Sequence, residues 1–241
     1  MIDFEIIKNL AKKYQTRIDN IVREYIQHLF LSALYKQKGC ENFCFKGGTA
    51  LKIIYSSPRF SEDLDFSSKN FLKKKNIENL FINALNNIEK ENIPIKLKEA
   101  KFTSGGYLGI TSYNIYGLRG EIFFEVSLKK GLGLNKEAIT IVPEYIPSYV
   151  LVHLSPKEIV KEKLSALFER GKPRDYYDLY FILRHSALRN FLEENSLKKI
   201  KKELLKTQIN FKKELEVLLP ISHHQILKNF KSNLLTEIEK F

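Results

Sequence analysis

Apolar residues recur three or four positions apart along the first part of the chain. Between residue 3 and about residue 37 they predict two amphipathic helices, through the set Phe4, Ile7, Leu10, Ile18, Val22, Tyr25, Ile26 and Leu29. The pattern then changes, because FCFK at 43–46 is a short apolar run that leads into Gly47-Gly48 and the helical segment TALKIIYS. This order predicts a strand, a glycine turn and a helix. LDFS at 64–67 predicts a second strand after a turn that contains Pro58.

The middle of the chain alternates between helical and extended patterns. Lys73 to about Glu91 has helical spacing, and three extended segments follow, separated by turns that contain glycine: IPIKLKEAKF, YLGITSYNIY and EIFFEVSLK. A further extended piece, YVLVHL, ends at residue 154. These strands, mixed with helices, predict a mixed sheet.

The pattern becomes entirely helical after residue 154. Ser155, Pro156 and Glu158 have the spacing of a helix N-terminus with a capping box. From there to Phe241 every segment is predicted to be helical. The predicted fold class is therefore α/β (α+β): a mixed sheet with flanking helices over residues 1–153, followed by an all-helical C-terminal lobe over 154–241.

Composition narrows the classes of function and location. The 241 residues are 44% apolar, and 40 basic against 28 acidic residues give a formal charge of +12, which favours a polyanionic partner such as nucleic acid. Two cysteines are too few for a disulfide framework. Because the chain also lacks a signal-like start and any long apolar run, we expect a cytoplasmic protein without a membrane partner.

Two aspartates flank Leu64 in a basic chain. On a strand, Asp63 and Asp65 would share one face, and two carboxylates so close repel each other unless a cation lies between them. Glu125, which alternates with apolar neighbours on a later strand, could supply a third ligand. Such oxygens suit Mg²⁺, with Mn²⁺ as the alternative. The competing interpretation is that Asp63 begins a turn, Asp65 pairs with a lysine and Glu125 lies on a solvent-exposed face of the sheet.

Glycines upstream strengthen the metal interpretation. Gly47, Gly48 and Thr49 lie between a strand and a helix start, where backbone N–H groups can hold a phosphate. A phosphate cradle followed on the next strand by a metal site is the combination that phosphoryl or nucleotidyl transfer needs.

These segments also resemble a known family. FKGGTALKIIY, RFSEDLDFS and, later, EKLSALFERGKPRDYYDLYFI at 162–182 are similar to the nucleotidyltransferase superfamily and specifically to the AbiEii-like toxins of type IV toxin-antitoxin systems. The resemblance implies that the glycine segment binds an NTP, that Asp63 and Asp65 hold the metal, and that Lys163 and Asp178 complete the active site. Arg59 and Ser61 lie in the same motif and would assist. The resemblance covers 45–67 and 158–182.

The helix after residue 155 can also be assessed by its periodicity. Val160, Leu164, Leu167 and Phe168 are predicted to be buried, with Lys163 and Arg170 at the border of that stripe. Together with Arg174, these cations could neutralise a triphosphate, or they could only cover apolar surface with their stems. Asp175 is assigned to capping or to pairing with an arginine.

The resulting hypothesis is transfer of a nucleoside monophosphate from an NTP to an acceptor hydroxyl. The resemblance and the charge favour RNA, in particular a tRNA 3′ end, with a cognate antitoxin as protein partner. The alternatives are an inactive RNA- or protein-binding module on the same fold, and phosphotransfer or nuclease chemistry. A protein side chain is the second possible acceptor. The preferred NTP, the identity of the acceptor, the oligomeric state and the existence of an antitoxin stay open.

Overall fold

The computed structural model describes residues 1–69, 74–103, 105–129 and 134–241. The chain divides into two compact units. The first contains Met1–Ser56 and Phe60–Leu154, and the second contains Ser57–Arg59 and Ser155–Phe241. The short segment 57–59 therefore belongs to the second unit although both of its chain neighbours belong to the first.

In the described residues of the first unit there are four helices. They are α1 (Phe4–Lys13), α2 (Ile18–Tyr35), α3 (Gly47–Tyr55) and α4 (Lys74–Glu89), with a short 3-10 turn at Cys40–Asn42. Asp3 caps α1, since its side chain accepts a hydrogen bond from the Glu5 N–H at 2.7 Å. The two helices predicted before residue 37 are confirmed, as is the helix that follows the glycine turn. Lys73, where α4 was expected to begin, lies outside the described residues.

A seven-stranded sheet forms the centre of the first unit. Its strands are β1 (Cys44–Lys46), β2 (Leu64–Lys69), β3 (Ile95–Thr103), β4 (Gly106–Ile115), β5 (Leu118–Lys129), β6 (Lys136–Ile141) and β7 (Tyr149–Leu154). Their order is β3-β4-β5-β2-β1-β7-β6. The β2/β5 and β1/β7 pairs are parallel and the other pairs are antiparallel. The predicted mixed sheet is confirmed, and β6 was not predicted.

One face of the central strands is sealed by aromatic residues. Phe30 of α2 packs on Phe124 of β5 with ring centroids 4.3 Å apart, and Phe81 of α4 lies 5.9 Å from Phe66 of β2. Side chains alternate along a strand, so residues 65 and 125 project from the opposite face. Packing of these core residues thus determines which face of the sheet the acidic residues occupy.

The second unit is helical along Ser155–Phe241, all of which the structure describes. Its helices are α5 (Pro156–Arg170), α6 (Pro173–Arg184), α7 (Ser186–Arg189), α8 (Glu194–Lys206), α9 (Phe211–Leu215), α10 (His224–Leu227) and α11 (Phe230–Glu239), with a 3-10 turn at Ile221–His223. Tyr177 stacks on Phe230 with centroids 5.9 Å apart in its core. The all-helical C-terminal region is confirmed.

Two details of α5 differ from the prediction. Ser155 is the N-cap residue, but its side chain makes no capping hydrogen bond, so the predicted capping box is wrong although the helix begins where expected. Phe168 is 41% exposed while Ile159 is buried. The buried stripe is therefore rotated towards Ile159 at the first turns of the helix.

No helix in the described ranges has both the length and the apolar character needed to cross a bilayer.

Candidate functional site

The glycine turn between β1 and α3 holds the carboxylate of Asp65. Gly47 has a φ of +84°, and a β-carbon built on it would lie 2.0 Å from Asp65 Oδ2. An L side chain is therefore excluded here by backbone conformation and by space. The absence of a side chain at residue 47 allows the acidic group to lie against the first residue of α3, where the helix dipole favours a negative charge.

Three charged residues form a row across adjacent strands. Lys46 of β1 is paired with Asp65 of β2, and Asp65 is paired with Glu125 of β5. Directly opposite residues of neighbouring strands project from the same face, with strands about 4.8 Å apart. The prediction that Glu125 shares a face with Asp65 is confirmed by this register. Lys46 is 9% exposed and its ammonium donates a hydrogen bond to Ser127 Oγ at 3.2 Å.

Asp63 lies just before β2 rather than within it. Its backbone carbonyl accepts a hydrogen bond from the hydroxyl of Thr49, and Thr49 is fully buried. The preceding carbonyls, of Ser61 and Glu62, both accept hydrogen bonds from the Gln27 amide, at 3.0 and 3.3 Å. Thr49 was predicted to bind phosphate, and that contact stays a prediction, whereas its observed hydroxyl contact is to the backbone. Nucleotide binding by Gly48, which is buried, and by Ser61, which is half-buried, also stays a prediction.

The two carboxylates of this row are the type of ligand that a hard divalent cation binds, whereas Lys46 cannot be a ligand. Asp65 and Glu125 offer carboxylate oxygens, and Glu125 is exposed to solvent. Within the described residues, no group of three or more His, Cys, Asp or Glu side chains could hold a metal ion. Mg²⁺ is commonly held by one or two carboxylates together with substrate phosphates rather than by a complete protein cage. The trio of Asp63, Asp65 and Glu125 as metal ligands stays a prediction.

Asp178 of the second unit is a buried carboxylate between two cations. Arg59 donates from Nε at 2.9 Å and from Nη2 at 3.0 Å, and Lys163 Nζ lies 2.7 Å away. Asp178 is 1% and Arg59 2% exposed. Burial raises the pKa of Asp178, but the charges and hydrogen bonds of Arg59 and Lys163 outweigh burial, so the pKa lies below its ordinary value. Asp178 is therefore ionised at neutral pH.

The structure joins predicted residues that the sequence had given separate roles. Lys163 and Asp178 form one ion pair, while Arg59, predicted to bind nucleotide, completes it. Asp178 and Arg59 are shielded from water, so their observed roles are to hold each other and Lys163. Completion of the active site by Lys163 and Asp178 stays a prediction.

The other two predicted arginines also have carboxylate partners. Arg170 donates to Asp175 from Nε and Nη2, at 2.9 and 2.7 Å. Asp175 also accepts from the Lys172 N–H at 3.1 Å at the start of α6. The assignment of Asp175 to capping and arginine pairing is confirmed. Arg174 forms an ion pair with Glu214 at 2.9 Å. Binding of nucleotide by Arg170 and Arg174 stays a prediction.

Comparison with known proteins identifies the family. The model of the nucleotidyl transferase AbiEii toxin family, of the type IV toxin-antitoxin system, matches residues 29–238. The chain belongs to the AbiEii nucleotidyltransferase toxin family. The expected resemblance is confirmed, and the family match includes the glycine turn, the Asp65 row and the Asp178 cluster. No curated protein matches the chain.

Solved structures share the fold at low sequence identity. JHP933 from Helicobacter pylori superposes with a TM-score of 0.66 at 20% identity, over 93% of this chain and 92% of that one. MenT4, a nucleotidyltransferase toxin from Mycobacterium tuberculosis, gives a TM-score of 0.65 at 16% identity, over 96% of this chain and 88% of that one. In both comparisons the shared fold covers more than nine tenths of this chain.

Two residues near the site were not predicted. Lys46 directly precedes Gly47 and alternates with buried Phe45, so the strand period could have placed it on the face of Asp65. Gln27 lies on α2, more than thirty residues before the carbonyls that it contacts. No local pattern relates it to them, and only the tertiary structure shows the contact.

Proposed function

We propose that this AbiEii family member transfers a nucleoside monophosphate from an NTP to a hydroxyl group of RNA, with a tRNA 3′ end as the favoured acceptor. In this reaction the acceptor oxygen forms a bond to the α-phosphorus, and the bond from the α-phosphorus to the oxygen that bridges to the β-phosphorus breaks. Pyrophosphate leaves, and the hydroxyl proton passes to solvent. The observation that carries the proposal is the register of Asp65 with Glu125 beside the Gly47 turn.

The proposed cofactor is Mg²⁺, with Mn²⁺ as the alternative. Asp65 and Glu125 would hold it, and Asp63 is the third candidate ligand. When bound, such a cation lowers the pKa of an attacking hydroxyl and offsets phosphate charge. The chain itself would contribute the backbone at Gly47, where an N–H at the start of α3 can donate a hydrogen bond to a phosphate oxygen.

The charge distribution of the second unit supports RNA as the acceptor. Residues 196–213 contain seven lysines and one glutamate. On α8, Leu197, Ile200 and Leu204 are buried, whereas Lys199, Lys202 and Lys206 are exposed. We call these three residues the lysine stripe, because they follow one another by three and four positions along one side of the helix.

The lysine stripe is available for an external anion. In the part of the chain that the structure describes, none of its members forms an ion pair, whereas Lys198 pairs with Glu194 and Lys201 with Glu239. Successive members are about 4.5 and 6 Å apart along the axis. This spacing is close to that of neighbouring phosphates on one RNA strand, so the stripe suits a nucleic-acid backbone.

The family also supports a biological role. As an AbiEii toxin the protein would modify RNA when a cognate antitoxin does not restrain it, and growth inhibition would follow. A small protein encoded next to this one, and able to reverse that inhibition on co-expression, is the expected antitoxin.

Incubation of the purified protein with Mg²⁺, each labelled NTP in turn and total tRNA tests the proposal. We expect label on RNA from one NTP, and none from the Asp65→Ala variant. The matched control is Glu99→Ala, which removes an exposed acid of β3 away from the row. Label that persists in Asp65→Ala rejects the site. Absence of label with wild-type protein, together with RNA binding, favours the inactive binding module.

A further inference from the structure

We propose that Gln27 and Thr49 are positioning residues that fix the direction of the catalytic aspartates. The backbone carbonyls of three consecutive residues, 61–63, each accept a hydrogen bond from a buried side chain. Gln27 is 2% exposed and Thr49 is fully buried. Neither residue needs to touch substrate or metal in this role.

The two donors come from different elements and act on the entry to β2. Gln27 lies on α2 and spans the carbonyls of residues 61 and 62 with one amide, while Thr49 lies on α3 and holds the carbonyl of Asp63. Fixing successive carbonyls fixes the peptide planes between them, because each peptide unit is rigid. The direction of the Asp63 side chain and the start of β2 are therefore set before residue 65.

Thr49 has a second link to the same site. It is the third residue of α3, and α3 begins with Gly47, against which the Asp65 carboxylate lies. The hydroxyl of Thr49 thus joins the helix that receives the Asp65 group to the segment that carries Asp63. Loss of this hydrogen bond frees the segment relative to α3, and a displacement of about 1 Å at catalytic groups can cost about 100-fold in rate.

This inference rests on the proposed function and refines it. If Gln27 and Thr49 position the aspartates, their loss lowers metal affinity and turnover while the KM for RNA is unchanged. A purely structural role would instead lower the melting temperature and leave metal affinity and turnover per folded molecule unchanged.

Thr49→Val and Thr49→Ser form the first test. Valine has the shape of threonine without the hydroxyl, and serine keeps the hydroxyl. We expect Thr49→Val to weaken Mn²⁺ binding, measured by calorimetry on the protein without nucleotide, and to lower kcat by about 10- to 100-fold. Thr49→Ser should restore both quantities to within about threefold of wild type, which is roughly 0.6 kcal/mol.

Thr111→Val is the matched control for Thr49→Val. Thr111 is also fully buried, but its hydroxyl has no hydrogen-bond partner among the residues that the structure describes. The same change of atoms there should leave Mn²⁺ affinity and kcat at the wild-type value. Both valine variants are expected to melt within about 4 °C of wild type.

Gln27→Met forms the second test, since methionine has a similar length but no donor. Gln37→Met is its control, because the Gln37 amide likewise donates to two backbone carbonyls, those of Ala33 and Leu80, at 3.2 and 2.9 Å. We expect slower turnover, weaker Mn²⁺ binding and faster amide exchange over residues 61–65 only in Gln27→Met.

Wild-type Mn²⁺ affinity and wild-type exchange in both Thr49→Val and Gln27→Met would overturn the inference. Equal losses in the control variants would do the same. Failure of the proposed function gives a different result: wild-type protein then transfers no nucleotide, while the metal affinity and exchange measurements still decide whether these side chains position the aspartates.

Discussion

The Asp65 carboxylate occupies the space that a side chain on Gly47 would need. A β-carbon there would lie 2.0 Å from Asp65 Oδ2, at a φ of +84°. Both the acidic site and the chain reversal therefore require a residue without a side chain at this turn. Replacing Gly47 tests both requirements.

Gly47→Ala should abolish detectable nucleotide transfer, because the new methyl group must displace the Asp65 carboxylate. Gly117→Ala is the control, since Gly117 has a φ of +81° and no atom of the described residues lies within 4 Å of its β-carbon position. The control should lose about 1–2 kcal/mol of stability from the backbone conformation alone and stay active. Denaturant unfolding and the tRNA labelling assay measure the two effects. Transfer by Gly47→Ala at the control's rate would contradict the prediction.

Glu125→Gln should lower the transfer rate by about 10- to 100-fold at saturating Mg²⁺ and leave stability unchanged, because Glu125 is exposed and in register with Asp65. The matched charge change is Glu99→Gln on the edge strand β3, which should transfer nucleotide normally. A Mg²⁺ titration of the transfer rate checks this prediction. If both variants behave alike at every Mg²⁺ concentration, Glu125 is not part of the site.

Asp178→Asn should destabilise the protein by about 3–5 kcal/mol at neutral pH, because it removes the buried negative charge that the Arg59 guanidinium and the Lys163 ammonium contact. Asp175→Asn is the comparison. Its partner Arg170 has a side chain that is 48% exposed and can turn to water, so a loss of about 1–2 kcal/mol is expected. Urea unfolding of both variants measures the difference, and equal losses would count against the buried pair.

The pH dependence of the Asp178 contribution has a defined sign. The pKa of Asp178 is lowered from its ordinary value of 3.8, so the folded protein releases this proton more readily than the unfolded chain. The contribution is complete above that ordinary value and is lost as pH falls through the lowered one. The stability difference between wild type and Asp178→Asn should be constant above about pH 5 and shrink below pH 3.8.

His28 should make stability depend on pH in mildly acidic solution. Burial, with a smaller contribution from the Lys52 charge, lowers the pKa of His28 to about 3. The unfolded chain binds this proton near pH 6.5, so stability falls by about 1.4 kcal/mol per unit as pH drops from there. His28→Gln removes this slope. Unfolding of both proteins between pH 7 and pH 5 checks it, and parallel curves would refute it.

Other groups next to His28 affect the same pH range in both proteins. Glu24 lies 4.0 Å from His28 and has a raised pKa, chiefly through burial, while Tyr149 is hydrogen-bonded to the His28 Nδ1 at 2.9 Å. Protonation of Glu24 stabilises the folded state as pH falls, opposite to His28. The difference between wild type and His28→Gln is therefore the quantity to measure.

Replacing the lysine stripe by glutamine, as Lys199→Gln, Lys202→Gln and Lys206→Gln together, should weaken tRNA binding. It should also reduce the slope of log affinity against log salt by about 2–3, because up to three phosphate contacts are lost. The control changes Lys12, Lys36 and Lys38 to glutamine, which removes equal charge from exposed positions of the first unit. Anisotropy titrations at several salt concentrations measure both. Equal effects would mean that net charge alone governs binding.

The sequence predicted those parts of the fold that local patterns determine. The β1 turn with Gly47, the strand at Leu64 and the helices from Pro156 onward all follow from apolar periodicity and from glycine or proline signals. Strand β6 was missed because only Ile141 of its six residues is buried. An exposed edge strand lacks the apolar run by which strands are recognised, although its pairing with β7 is complete.

The candidate site was only partly predictable, for a related reason. Asp65 and Glu125 could be placed on one face by alternation along each strand, whereas the partners of Arg59 depend on contacts across more than a hundred residues. Phe168 was placed in the core by the helical period, yet it is exposed. Periodicity gives the angle of a residue around its helix, and tertiary packing decides which angle is covered.

The allocation of Ser57–Arg59 to the second unit has a practical consequence for dissecting the molecule. A fragment that starts at Ser155 would contain Asp178 and Lys163 but not Arg59, the arginine that contacts the Asp178 carboxylate. A fragment that stops at Leu154 would carry Arg59 but not the Asp178 carboxylate that it contacts. The segments before and after residue 154 are consequently unsuited to separate expression. In a chimaera of two homologues, the segment that carries Arg59 and the segment that carries Asp178 would have to match each other.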